Sequence, residues 1–473
     1  MSRGLRALLV TSILAGVAAG SAGAQIAPMG TAPRPAATQP RPVAPVQRQA
    51  TPAKPAPDAL APTNPDFKAD QTAAQPAPLP PPLPPAVWDV INAQELLAYI
   101  GGVAKEGLNP LDYDPEGLQA AIQSGNVLAI SAASTDRFNR LSSDLALGHI
   151  KKPARIDWWV ADPDLNAEKQ DALLRSALAA HAIPQALDGL LPTHPQYAAL
   201  KSALAEAPAT DEARRDRIRL NLDRWRWLPR DLGPKYIIVN VPGFHATLVE
   251  NGVNRWKHKA IAGATKTPTP QLSVMAEGVM LNPSWEVPKS IEREAAGKKG
   301  FVAVKGPDGA IQRWRQPPGP TNALGQIKFV MPNSKAIYLH DTNARSRFND
   351  ATRALSHGCV RTEHILDLAS QLLGDDNGEW TPDRIEAALG SKKTVQANFV
   401  KPVPVYIVYF SAAALNDGRI VDYKDLYGRD AKAMAALNMR DGGASLPMPK
   451  DKDAPTAPPA KPKPKPVNQV AAR

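Results

Sequence analysis

Proline decides where this chain can fold. From Ile26 to Val87 the sequence is dominated by Pro and Ala with few aromatics, a composition that cannot bury enough apolar surface to offset the entropy of ordering. Residues 25–87 therefore read as a disordered, semi-rigid spacer. Residues 441–473, ending in Lys461-Pro462-Lys463-Pro464-Lys465-Pro466, read as a second disordered tail. Between the two lie about 360 residues, enough for two domains.

Ahead of the spacer stand Arg3 and Arg6, an apolar run from Ala7 to about Ala19, and Ala22-Gly23-Ala24 before Gln25. This is the pattern of a cleaved signal peptide over residues 1–24, too short in its apolar part to span a bilayer comfortably. The chain is expected to be exported to the periplasm. The net charge of +11 suggests nucleic acid at first sight, but residues 1–87 and 450–473 each hold +4, leaving +3 for the rest. A folded portion so near neutral has no concentrated basic face, so nucleic acid is excluded as a partner. The basic tails can associate weakly with an anionic wall or membrane surface.

The hydrophobic period changes once along the folded portion. Residues 88–233 read as a helical domain: Glu95–Ile100, Asp136–Leu141, Ala167–Leu174 and Tyr197–Leu204 each start an amphipathic run, with prolines between them. A helix through Ile218, Leu222 and Trp225 should stop at Pro229. Residues 234–440 turn to strands. Tyr236–Val241 is β-rich, His245–Glu250 joins Val253–Ile261 through Asn251-Gly252, and Pro404–Ala412 with Arg419–Tyr423 suggests a closing hairpin. The fold class is α+β, a helical domain followed by a mainly β, sandwich-like unit. The Gly/Pro-punctuated stretch over 288–326, with Trp314 and Arg315, is long enough to be a functional lid.

Cys359 is the one cysteine in 473 residues, so it cannot take part in an intrachain disulfide. It stands in Ser356-His357-Gly358-Cys359-Val360-Arg361, behind Ala336-Ile337-Tyr338-Leu339-His340. Strand alternation puts Tyr338 and His340 on one side. After Cys359 the residues Ile365, Leu368, Ala369 and Leu372 share a helical face, and Thr362 suits an N-cap. The thiol is expected just before a helix N-terminus, where free N–H groups would lower its pKa and line an oxyanion hole. Gly358 would let the backbone approach a carbonyl closely. His357, Cys359 and His364 match no closed zinc spacing, and no dinucleotide or phosphate-cradling loop is present. No metal or cofactor is expected.

A histidine, 15 intervening residues, then Ser-His-Gly-Cys resembles the signature of the L,D-transpeptidases, the YkuD-domain family that remodels peptidoglycan. Asn282-Pro283-Ser284-Trp285-Glu286-Val287-Pro288, Gln316–Gly325 and Asp425–Asp430 resemble the larger murein branch, which carries a helical scaffold domain. The likeness covers roughly residues 88 to 440. It implies that Cys359 is the nucleophile, His340 its base, and the Asp341 carbonyl the group orienting the ring. It implies further that Ser356, His357 and Gly358 shape the oxyanion region with Cys359, and that Tyr338 and Trp285 wall the pocket. Residues 288–326 would be a substrate-capping insertion in which Trp314 and Arg315 help hold the stem peptide. Arg361 stands where the commoner family pattern has asparagine. Only Glu206–Asp211 fills the place where that branch often inserts a peptidoglycan-binding module. The implied activity is acyl transfer between peptidoglycan stem peptides, expelling D-Ala from a tetrapeptide and forming a 3–3 cross-link. Hydrolysis as an L,D-carboxypeptidase and a catalytically inactive wall-binding scaffold are the alternatives.

Overall fold

The computed structural model describes residues 84–446 apart from Asp162, 375–378 and 416–418. The expected signal peptide, most of the spacer, most of the tail and the Asn416-Asp417-Gly418 turn lie outside the described residues.

The first part is helical because its apolar residues return every three to four positions and its caps are well placed. Helix α1 (Val90–Gly102) starts at Asp89, whose carboxylate accepts from Asn92 N at 2.8 Å. Asp114 and Asn126 cap α2 (Pro115–Gln123) and α3 (Val127–Leu147) in the same way. With α4 (Ala167–Ala180) and α5 (Ile183–Asp188), these helices enclose a core of Trp88, Leu96, Ile100, Phe138 and Leu141. Helices α6 (Pro195–Glu206) and α7 (Glu212–Trp225) do otherwise. Their Tyr197, Leu200, Ile218 and Leu222 share a core with Tyr236, Tyr406, Val408 and Phe410 of the following sheet. A two-residue strand, β1 (Trp158–Trp159), leaves the helices to pair with that sheet.

The strands are β2 (Lys235–Asn240), β3 (His245–Glu250), β4 (Val253–Gly263), β5 (Gln271–Leu281) and β6 (Trp285–Glu286). After helix α8 (Glu292–Ala295) come β7 (Val302–Lys305), β8 (Ile311–Gln316), β9 (Ile327–Val330), β10 (Leu339–His340), β11 (Ala354–Ser356) and β12 (Val360–Thr362). Helices α9 (Ile365–Gly374) and α10 (Pro382–Gly390) precede β13 (Val395–Val408), β14 (Ala412–Ala414), β15 (Ile420–Asp422) and α11 (Asp430–Leu437). Between β3 and β4, Asn251 and Gly252 take φ of 48° and 76°, the left-handed pair that a two-residue hairpin requires. Among the described residues the main sheet runs β1-β5-β13-β2-β3-β4-β12-β10-β9, and β9 also pairs with β5. The sheet thus closes on itself, leaving few free edges, around Ile237, Leu248, Val279, Phe329, Leu339 and Val405.

Two local expectations change, and the 288–326 stretch takes on a sheet. The closing hairpin forms between β14 and β15, while β13 lies between β2 and β5, because its apolar residues from Val403 to Val408 need cover on both faces. Residues 288–326, read from the sequence as a lid rather than a plain connector, hold β7 and β8, which join β6 in a separate three-stranded sheet. Cys359 does not precede a helix. It runs into strand β12, and Thr362, buried with its hydroxyl unpartnered, caps nothing. The first helical bonds of α9 end on the carbonyl of His364. Cross-strand pairing with β4 and β10 outweighs the local capping preference of threonine.

The helical part is tied down by Asp223, which is fully buried beside an equally buried Arg226. Its carboxylate accepts from the His149 and Ile150 amides, from Arg226 and from Trp227 Nε1, at 2.8–3.1 Å. Burial alone would raise its pKa, but the charges of Arg226, His149 and Arg155 hold it down at about 2. Asp223→Ala should cost about 3–5 kcal/mol, since it strands a buried guanidinium. Urea unfolding measures this, and a loss under about 1 kcal/mol would show that Arg226 finds another partner. The folded value lies below the unfolded one. The contribution is therefore present above about pH 4 and fades as pH falls toward 2.

Candidate active site

Strand register assembles the site. Strand β9 runs antiparallel to β10 with Lys328 opposite His340, and β10 runs parallel to β12 with His340 beside Arg361. Side chains alternate, so Leu339, Val360, Ile327 and Phe329 fill the core at 0% exposure. Lys328, His340 and Arg361 form a row on the other face, joined by Tyr338 and Cys359 two residues earlier on their strands. The Lys328 ammonium lies 4.2 Å from the Tyr338 ring centroid, and the Tyr338 and His340 rings meet edge-on at 5.6 Å.

The segment before Cys359 is fixed by side chains. Ser356 Oγ accepts from Gly358 N at 3.1 Å and donates to the Cys359 carbonyl at 2.5 Å. The Gly358 carbonyl accepts from Thr269 Oγ1 at 2.7 Å, and the Ser356 carbonyl from Thr267 Oγ1 at 3.0 Å. Gly358 sits at φ +119°, a conformation that side chains rarely adopt. Because its N–H is engaged by Ser356, Gly358 does not offer a donor to an oxyanion. The amides of His357 and Cys359 have no partner among the described residues.

His340 is 5% exposed, and its Nδ1 lies 2.5 Å from the Asp341 carbonyl oxygen. A carbonyl only accepts, so Nδ1 carries the proton and Nε2 keeps its lone pair. Burial pushes the imidazole down to about 3, with Arg361 and Lys328 adding to it against the pull of Asp341. The Asp341 carboxylate accepts from Gln326 N and from Arg345, each at 2.9 Å. Gly325 makes room for it: a Cβ at that position would fall 2.3 Å from Asp341 Oδ2.

Burial likewise raises the Cys359 thiol, opposed by hydrogen bonds with Tyr338 and by the charges of Lys328 and Arg361. Tyr338 and Trp285 stand in the same cavity wall as the sulfur, and burial together with the neighbouring Cys359 raises the Tyr338 hydroxyl. At rest, therefore, thiol and imidazole are both neutral at pH 7. The half-buried sulfur also lies 3.6 Å from the Ala336 carbonyl.

These groups line a cavity of about 370 Å³. Cys359, His340, Tyr338, Ser356, His357, Arg361 and Trp285 all contribute to its walls. Trp314 and Arg315 do not. They lie on β8, where the Trp314 carbonyl accepts from Val287 N and Arg315 is exposed. Trp285, Glu286, Pro288 and Ile291 line the cavity from that part of the chain. His357 meets the same part, with Nε2 3.4 Å from Glu294. Sequence reasoning also missed Lys328 and Lys335 in the wall. A single lysine interrupting the apolar run Ile327–Val330 was the available signal for the first.

Residues 234–407 match the family model of the L,D-transpeptidase catalytic domain, and residues 87–204 match that of the scaffold domain. A curated protein of Haemophilus influenzae that bears the name of an L,D-transpeptidase is 32% identical over 229 residues, 43% of this chain and 46% of its own length. The chain thus spans just under half the length of that relative. Among solved structures, a mutant L,D-transpeptidase of Enterococcus faecium is 12% identical, with 38% of this chain and 52% of that one covered at a TM-score of 0.22. An L,D-transpeptidase of Mycobacterium smegmatis is 13% identical, with 37% and 58% covered at 0.20.

The neutral resting state has a direct readout. Alkylation of Cys359 by iodoacetamide should accelerate with pH through and beyond about 8.5, the ordinary thiol value. Tyr338→Phe, which removes a hydrogen bond to the sulfur, should move the midpoint further up. A rate already constant below pH 7 would mean a standing thiolate–imidazolium pair and would overturn the assignment.

Proposed function

We propose that this chain, whose residues 234–407 and 87–204 match the family models of the L,D-transpeptidase catalytic domain and the scaffold domain, forms 3–3 cross-links in peptidoglycan through a thioester on Cys359. The observation that supports this most is the His340 tautomer. With Nδ1–H held by the Asp341 carbonyl, Nε2 is a base within the cavity that holds the thiol.

In this reading Nε2 takes the thiol proton as sulfur attacks the carbonyl of the third residue of a tetrapeptide stem. The Cys359 and His357 amides receive the developing oxyanion. The C–N bond to the terminal D-Ala breaks as the imidazolium protonates the leaving amine, and a thioester remains. An acceptor amine on a second stem then attacks, returns a proton to Nε2 and releases the thiolate. Lys328 and Arg361 favour each thiolate stage by their charge. The substrate meets this site outside the cytoplasm, in the compartment of the cell wall. Among the described residues no helix is long and apolar enough to cross a membrane.

The test is incubation of the protein with purified disaccharide-tetrapeptide, followed by mass spectrometry. A dimer lacking one D-Ala is expected. Tripeptide alone would make the enzyme an L,D-carboxypeptidase, and no product from folded protein would leave a wall-binding scaffold. Cys359→Ala should abolish product while retaining the fold. His340→Ala should lose at least about 10²-fold in rate, the usual scale of a general base; a loss of only a few-fold would place the base elsewhere.

A further inference from the structure

Behind the catalytic strand, two histidines face each other. Strand β12 pairs antiparallel with β4, with Arg361 opposite Ile261 and Thr362 opposite Ala260, and Glu363 N continues the ladder to the Lys259 carbonyl at 2.9 Å. The next step in this register sets His364 against His258. Their ring centroids are 4.8 Å apart. Glu363 Oε2 lies 4.0 Å from His258 Nδ1, and one donor atom from each of His258, Glu363 and His364 falls within 4.8 Å of the others. Asp367, in the first turn of α9, brings Oδ2 to 3.5 Å from His364 Nδ1. His364 holds φ +51°, an uncommon conformation for a residue other than glycine. That conformation joins the end of β12 to the start of α9.

We propose that His258, Glu363 and His364, with Asp367 or water as fourth ligand, bind a divalent first-row transition ion of which Zn²⁺ is the model. Two imidazoles and a carboxylate suit zinc and its neighbours, whereas calcium and magnesium favour oxygen sets. Tetrahedral zinc with ligands at 2.0–2.2 Å separates its donors by about 3.4 Å, so small rotations of side chains at the surface close the cluster. Glu363 carries two competing contacts, both from Lys259, with Nζ 3.7 Å from Oε1 and the backbone N 3.4 Å from Oε2. Both contacts leave a carboxylate lone pair for a metal. A bound ion would pin β4 to the β12–α9 junction, four residues after the nucleophile in sequence and without touching sulfur.

Cys359 and His340 could themselves capture zinc, so the experiment separates the two places. Zinc is titrated calorimetrically into wild type, Cys359→Ala, His258→Ala and His364→Ala, each checked for folding by circular dichroism. Saturable binding of one ion per chain, retained in Cys359→Ala and weakened at least about tenfold in both histidine variants, is expected. Wild type and Cys359→Ala should also gain melting temperature with zinc, and the histidine variants should not. Binding that vanishes in Cys359→Ala and survives in His258→Ala overturns the proposal. Absence of saturable binding at high-micromolar zinc overturns it as well. If the alanine variants misfold, His258→Gln and His364→Gln carry the same comparison.

Discussion

The cross-strand register of β9, β10 and β12 is the constraint on which the site depends. A slip of one residue would send Lys328, His340 and Arg361 into the core and bring Leu339, Val360 and Phe329 to the surface. The apolar residues therefore specify where the polar ones stand. This matters because the polar row does not hold itself in place: Arg361 Nε is buried with no partner among the described residues, and burial lowers the affinity of the arginine for its proton. Two cations flanking one histidine would separate if the backbone allowed it. The hydrogen-bonded ladder does not allow it.

That row affects the proposed nucleophile and the proposed base in opposite senses. Lys328 and Arg361 favour the thiolate of Cys359 and disfavour the imidazolium of His340. Burial disfavours both charges, which keeps the resting pair neutral. A proton moving from sulfur to Nε2 creates an ion pair whose negative end meets Tyr338, Lys328 and Arg361 and whose positive end meets Asp341. The Asp341 carboxylate is itself held by Gln326 and Arg345. Both charges of the transferred state are thus met by groups already in position, which would limit reorganisation in the proposed reaction. Trp285 and Tyr338 share the cavity wall with the sulfur.

Much of this was legible in the sequence because it is local. The change of period after Lys235, the Asn251-Gly252 turn, and the lone thiol behind a strand ending in histidine each sit within a short window. What escaped was set by distant partners. Nothing near Trp158 announces that it will pair with Gln271, and nothing near Ile327 shows that β9 will close the sheet against β5. The run Val360-Arg361-Thr362 was open to either reading, a strand by its β-branched residues or a helix start by its threonine. Two neighbouring strands decided it. Trp314 stands within the 288–326 stretch, but pairing between β6 and β8 leaves Trp285, not Trp314, in the cavity wall.

The same non-local pairing makes the helical part a structural half of one unit with the sheet rather than an attachment to it. Tyr236, Tyr406, Val408 and Phe410 are buried because α6 and α7 cover them, with Trp225 stacked on Phe410 at 4.6 Å. The chain also returns after α11 to the first helices. His149 places Nδ1 2.6 Å from Asp144 and Nε2 2.8 Å from the Met439 carbonyl. Both partners only accept, so both ring nitrogens carry protons. Burial opposes that charged form, but the hydrogen bond and charge of Asp144 outweigh it and raise the histidine. A buried cation thus joins α3 to the C-terminal turn, reinforced by Lys151 N donating to the Gly442 carbonyl at 2.7 Å. The strands of the candidate site are consequently braced from both ends of the described chain, and the register that aligns Lys328, His340 and Arg361 inherits its rigidity from helices that never touch the site.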